Sequence, residues 1–191
     1  MEFLSTLDIL VFRFLNGTLQ NPLFDWLMPF LTDLNKHPLA LVFVLILWIL
    51  LLVKGGRAGR IAALLLIPTI AFSDQLNSTL VKHLFDRPRP CHMLAGVHLL
   101  VSCGSGWSFP SSHAVNNFAG AVVLAAYLPR WSWAFYAFAA TIAFSRVYVG
   151  VHYPSDVLGG TLLGFACGWL MVFLYRYGEG WWLRIRSGGR E

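Results

Sequence analysis

The sequence predicts an all-α integral membrane bundle of about five to six transmembrane helices with amphipathic helices at its N-terminus. Two observations predict it. Of the 191 residues, 57% are hydrophobic and 12% charged, about half the charged share of a soluble domain. Mean hydropathy is +0.64, and too little polar surface remains to cover a soluble fold of this size. The second is arrangement: long apolar runs alternate with short loops, and the basic residues gather in those loops. The net charge of +5 forms no stripe of the kind that binds nucleic acid, so no nucleic-acid partner is expected and a membrane with anionic head groups suits it better.

Residues 1–36 read as two amphipathic helices, at the interface or lining the bundle, with a shortened spanning hairpin as the alternative. Leu7, Leu10, Val11, Phe14 and Leu15 repeat at helical spacing, Asn16-Gly17 breaks the repeat, and Asn21-Pro22 starts the second helix. Asp8, Arg13, Asn16, Asp25 and Asp33 are their polar members. Met1-Glu2 lacks a positive leader region, so no cleavable signal is expected. Residues 38–53 are an uninterrupted apolar run, and Lys54 to Arg60 form a basic loop. Residues 61–81 form a second span that turns polar at Ser73, Asp74, Gln75, Asn77, Ser78 and Thr79. Gln75, Ser78 and Lys82 share a helical face, and interhelical hydrogen bonding is the favoured role of these groups over substrate contact. A long loop at 82–112 precedes spans at about 113–128, 131–151 and 155–177. Residues 37–177 thus form the membrane-embedded unit and 178–191 a basic cytoplasmic tail. Gly160, Gly164 and Gly168 recur every four residues, a spacing that lets helices pack closely.

Five spans bring loop 82–112 and segment 146–156 to the same side. The other side holds Lys54, Arg57, Arg60, Arg130, Arg176, Arg184, Arg186 and Arg190, against Arg13, Lys36 and Arg87 on the first once Lys82, Arg89 and Arg146 are set apart. The positive-inside rule then faces the first side away from the cytoplasm.

Ionisable groups that persist in such a chain are functional by default. Here they fall in three fragments: Lys82 with Arg89-Pro90, Pro110 to His113, and Ser145-Arg146 with His152 and Asp156. Taken singly, each has an ordinary explanation. A lysine or arginine at a span end snorkels to the interface, and a histidine four residues from an aspartate makes a local hydrogen bond. Together they supply every part of phosphoryl transfer, which is mainly positioning and electrostatics. Lys82, Arg89 and Arg146 bring positive charge, two of them as planar forks that grip paired oxygens. Pro110 suits the first turn of a helix, whose free N–H groups join the hydroxyls of Ser111 and Ser112 as anion donors. Asp156 accepts from one nitrogen of His152 and frees the other to attack phosphorus. His113 remains to protonate the leaving oxygen. Asn116 and Asn117 follow it by about one turn and read as support.

Cys91 and Cys103 flank a short segment that suits a disulfide on an oxidising side and two free thiols equally. Cys167 lies in an apolar run as packing. No zinc pattern is visible.

The three fragments resemble the signature of the type 2 phosphatidic acid phosphatase (PAP2) superfamily. KHLFDRPRP runs from Lys82 to Pro90, PSSH from Pro110 to His113, and SRVYVGVHYPSD from Ser145 to Asp156, in the family's order, within a region of roughly 38–177. The resemblance implies a PAP2/haloperoxidase-like helical core. It implies phosphate bound by Lys82, Arg89, Ser111, Ser112 and Arg146, with His152 as the nucleophile that becomes phosphohistidine. Asp156 would be its partner and His113 the general acid, with no metal or other cofactor. One departure is Ser112, where the family usually has glycine. Serine keeps the backbone N–H if its φ/ψ is ordinary, while its side chain narrows the cradle.

The expected function is a metal-independent lipid phosphatase in the inner (cytoplasmic) membrane, multi-pass, with its site facing the periplasm or exterior. Its substrate is a lipid phosphate or diphosphate: undecaprenyl diphosphate, phosphatidic acid, phosphatidylglycerol phosphate or a lipid A phosphate, with an isoprenoid diphosphate or a glycerolipid phosphate favoured. The competing expectations are a phosphotransferase with a second acceptor and a non-catalytic binder of lipid phosphate.

Overall fold

Every regular element among the described residues is helical, as the apolar periodicity requires. The computed structural model describes residues 2–188, without the side chains of 2–4 and 187–188. Arg190 and the end of the basic tail lie outside the described residues. Helix α1 (Glu2–Arg13) runs into a π-helical turn, and α2 (Pro22–Thr32) begins where Asn21 Oδ1 accepts from Phe24 N at 2.9 Å. Helices α3 (Pro38–Lys54) and α4 (Gly56–Leu76) form a hairpin. A π-helical turn at Asn77–Val81 carries α4 into the short α5 (Lys82–Phe85). Then come α6 (Pro90–Met93), α7 (Ser112–Tyr127), α8 (Ser132–Tyr148) and α9 (Pro154–Gly188). The stretch from 178 to 188 is therefore an unbroken extension of α9.

Helix α7 is the centre, packed against α4, α8 and α9. Its Ala114, Val115, Ala119, Val122 and Val123 are buried, and Leu65 of α4 and Val172 of α9 pack with Val122 and Val123. At the outside, α3 buries no residue at all. A helix that is apolar all round and has no core to fill belongs against lipid. Gly56–Met93 and Pro154–Arg186 are long and apolar enough to cross a membrane, and Pro38–Lys54 is a shorter apolar helix.

The spaced glycines of α9 set its distance from α7. A Cβ on Gly160 would stand 2.7 Å from the Ser111 carbonyl oxygen and 2.9 Å from Ala114 Cβ. On Gly164 it would stand 2.9 Å from Phe118 Cβ, and on Gly168 2.6 Å from Val122 Cβ. The same close approach places the start of α7 beside the start of α9. Gly164→Val is accordingly expected to cost about 1–3 kcal/mol through overpacking. A thermal melt in detergent checks it: an unshifted midpoint would contradict the close seam.

The 82–112 segment is more structured than a loop. It holds α5 and α6, and Cys91 and Cys103 are joined, with Cα atoms 6.3 Å apart. The open question of two thiols or one bridge is thus decided. Cys91, His92 and Cys103 offer donor atoms within 4.8 Å of one another, but both sulfurs are spent in the bridge.

Candidate active site

The three motif fragments converge at one end of the bundle. Ser111 N donates to the Asp156 carbonyl at 3.0 Å, which ties the start of α7 to the first turn of α9. The amides of Val151 and His152 both donate to the Arg146 carbonyl at 3.2 Å, folding the α8–α9 link back on itself. Gly150 makes that turn at φ +86°, where a Cβ would meet Val97 Cγ1 at 2.6 Å.

His152 is 2% exposed and Asp156 fully buried. His152 Nδ1 lies 3.5 Å from Asp156 Oδ2, long for a direct hydrogen bond. Ser108 stands beside the pair: its hydroxyl donates to Asp156 Oδ2 at 2.5 Å and lies 3.4 Å from His152 Nδ1. Because that hydroxyl spends its only proton on the carboxylate, it faces Nδ1 with lone pairs. Nδ1 therefore carries the imidazole hydrogen, shared between Ser108 and Asp156. The guanidinium Nη1 of Arg89 is 3.3 Å from Nε2 and can only donate, which assigns the lone pair to Nε2. Burial pushes the His152 pKa down to about 3, with the charges of Arg146 and Arg89 acting the same way and Asp156 opposing. The ring is neutral, and its free lone pair is on Nε2.

Asp156 is held on every side. Tyr153 N donates to Oδ2 at 2.7 Å, the reach of an N3 acid back to the helix cap, and Arg87 Nη1 donates to Oδ1 at 2.7 Å. Arg89 is braced by the carbonyls of Gly106 at 2.8 Å and Val151 at 3.3 Å. Lys82 Nζ donates to the Trp107 carbonyl at 3.1 Å. Arg146, 7% exposed, donates through Nη1 to Thr32 Oγ1 at 2.6 Å. Its Nε and the Ser111 hydroxyl are buried with no protein partner among the described residues. Such groups are costly unless something pairs with them.

Helix α7 begins at Ser112, so Pro110 stands ahead of it rather than in its first turn, after a cis peptide bond. Ser111 is the N-cap residue, and its hydroxyl makes no cap bond. Ser112 is helical, so its φ/ψ is ordinary, but its hydroxyl accepts from Asn77 Nδ2 at 2.9 Å and is turned toward α4. What it offers an anion is its backbone N–H. His113 is half-buried one residue on, and its carbonyl accepts from Asn117 Nδ2 at 2.9 Å. The polar end of α4 bonds across to α7: Asn116 takes Ser73 at 2.8 Å and Asp74 at 2.9 Å. Interhelical bonding is the role of Ser73, Asp74 and Asn77, and it is Asn77 that reaches the serine pair.

Sequence reasoning missed Ser108, Arg87, Asp8 and Thr32. Ser108 sits in a Gly- and Ser-containing stretch and reads as a turn residue. Arg87 was one loop charge among several. Asp8 and Thr32 lie in largely apolar helices beside other polar residues, Ser5, Thr6 and Arg13 in one and Asp25 in the other, so nothing set them apart. Ser108→Ala is expected to lower kcat about 10–100-fold, the worth of one hydrogen bond to a charged group. Steady-state kinetics with unchanged KM would bear this out, and wild-type kcat would exclude Ser108 from holding the pair.

Residues 60–179 match the family model described as PAP2 superfamily. The lipid A 4'-phosphatase of Bacteroides thetaiotaomicron is 32% identical over 186 residues, covering 91% of this chain and 79% of that protein. The crystal structure of Aquifex aeolicus LpxE superposes with a TM-score of 0.70 at 28% identity, covering 87% of this chain and 94% of that one. The first transmembrane PAP2 type phosphatidylglycerolphosphate phosphatase from Bacillus subtilis superposes with a TM-score of 0.66 at 24% identity, covering 93% and 88%, a likeness of fold.

Proposed function

Because this chain belongs to the PAP2 superfamily and is a membrane lipid phosphatase, we propose that it hydrolyses a lipid phosphate monoester or diphosphate through a phosphohistidine on His152. One observation carries the reading. A buried neutral imidazole presents Nε2 beside Arg89, while Ser111 Oγ and Arg146 Nε are buried and unpaired within the same motif set. Phosphate oxygens satisfy those two donors, and Lys82, Arg89 and the N–H of Ser112 complete the cradle.

The steps follow from the atoms. Substrate phosphate draws Arg89 off Nε2 and takes its donors. Nε2 attacks phosphorus, the N–P bond forms, and the P–O bond to the lipid breaks. The leaving oxygen takes its proton from His113. Asp156 balances the charge on the phosphorylated ring through Nδ1–H. Water then attacks phosphorus, gives a proton to His113, and frees phosphate and His152. Every step uses the chain's own groups, so turnover is expected to continue in a chelator.

Five helices, α3, α4, α7, α8 and α9, cross the inner membrane, and α1 and α2 lie as amphipathic helices at the end that carries the site. That end faces the periplasm or exterior. The excess of basic residues at the opposite end supports this orientation, as does the Cys91–Cys103 bridge, which persists on an oxidising side. Among the candidate lipids, the relative that shares 32% identity over most of both chains favours a lipid A phosphate.

The test is phosphate release in detergent from lipid A, prenyl diphosphates and glycerolipid phosphates. At least one is expected to turn over, with inhibition by vanadate, which mimics five-coordinate phosphorus. No release from any of them, or vanadate insensitivity, would overturn the reading. Phosphate found only on a second acceptor would make the protein a transferase.

A further inference from the structure

We infer that Asp8 of α1 is a positioning residue for the reaction, acting through Arg87 and Ser155 on Asp156 and so on His152. The inference rests on the reading of His152 as nucleophile. Asp8 is 8% exposed, in a helix far ahead of the residues the family model matches. Its Oδ1 accepts from Ser155 N at 2.9 Å. Its Oδ2 accepts from Ser155 Oγ at 2.5 Å and from Arg87 Nη2 at 2.6 Å. The other terminal nitrogen of Arg87 donates to Ser155 Oγ at 2.6 Å and to Asp156 Oδ1 at 2.7 Å. The guanidinium carbon lies 4.1 Å over the Tyr153 ring, which fixes the plane of the fork.

Two consequences reach the reaction. Ser155 N belongs to the first turn of α9, whose amides have no partner inside the helix. Asp8 supplies that partner from another helix, so the turn that carries Asp156 is registered against α1. The second consequence is charge. One guanidinium spans two carboxylates, Asp8 and Asp156. Paired with Asp156 alone, Arg87 would neutralise the carboxylate that must stabilise the ring when phosphorus arrives. Asp8 takes a share of that positive charge and leaves Asp156 net negative toward His152.

The test uses the purified full chain in detergent on whichever lipid phosphate it hydrolyses, with rates normalised to folded protein. Asp8→Asn is expected to lower kcat about 10–100-fold with KM within about threefold, and Asp8→Glu to recover part of the loss. In an Arg87→Met background, Asp8→Asn is expected to cost less than about threefold more, since the shared path is already cut. Wild-type kcat in Asp8→Asn, or losses that multiply in the double variant, would overturn the inference. Should Asp8→Asn not fold, Ser155→Ala removes one of the same contacts: a fall in kcat at constant KM supports the inference, and wild-type kcat refutes it. His152→Ala separates the two layers. If it stays active, the nucleophile reading falls; if it is dead while Asp8→Asn is normal, only the role of Asp8 falls.

Discussion

His152→Ala is expected to abolish phosphate release, with kcat down at least ~10⁴-fold, the scale on which loss of a nucleophile acting within a catalytic unit is felt. The size follows from the geometry. In the proposed mechanism Nε2 is the attacking atom, and Asp156, Ser108 and Arg89 all stand against that ring. Binding is expected to survive, because Lys82, Arg146, Ser111 and the start of α7 stay in place. Vanadate or product inhibition measured by displacement should therefore move by no more than about tenfold, one step of 1.4 kcal/mol. A second readout is direct: wild-type protein mixed with labelled lipid phosphate and quenched in alkali should carry acid-labile label, and the variant none. Turnover within tenfold of wild type would remove His152 from the nucleophile's role.

His113→Ala is expected to cost ~10²–10⁴-fold on a lipid alkoxide leaving group, the range of a positioned general acid. On a leaving group that departs without a proton, such as a nitrophenoxide, the loss should shrink to about tenfold or less. The contrast separates an acid from a mere anion ligand, since a ligand is needed equally for both. In the proposed mechanism His113 is that acid, and it stands in the first turn of α7 one residue after Ser112. Plotting log kcat/KM against leaving-group pKa should give a steeper slope for the variant than for wild type. Parallel lines would end the acid assignment.

Much of this protein was legible before any coordinates. The apolar run at 38–53 became α3, and the four-residue glycine spacing became the α7–α9 seam. The motif residues also met: Ser111 N on the Asp156 carbonyl is the bond that joins two fragments. The arginine pair of FDRPRP was not separable by reading. Both side chains are loop guanidiniums two residues apart, yet Arg87 turns to Asp8 and Asp156 while Arg89 turns to His152 Nε2. Ser108 was invisible for a related reason, since a turn serine and a serine that holds a carboxylate look alike in a string of letters.

By itself the sequence determined the helices, the lipid-facing apolar surface and the type of chemistry. Those are local properties: helical periodicity and hydropathy are written within each segment, and a reaction announces itself by which groups are present. The tertiary structure alone decided which polar groups meet. Asp8 reaches Arg87 across 79 positions and Ser155 across 147. Hydrogen bonds act over about 3 Å, and only packing α1, the loop before α7 and the first turn of α9 together brings those atoms within that distance.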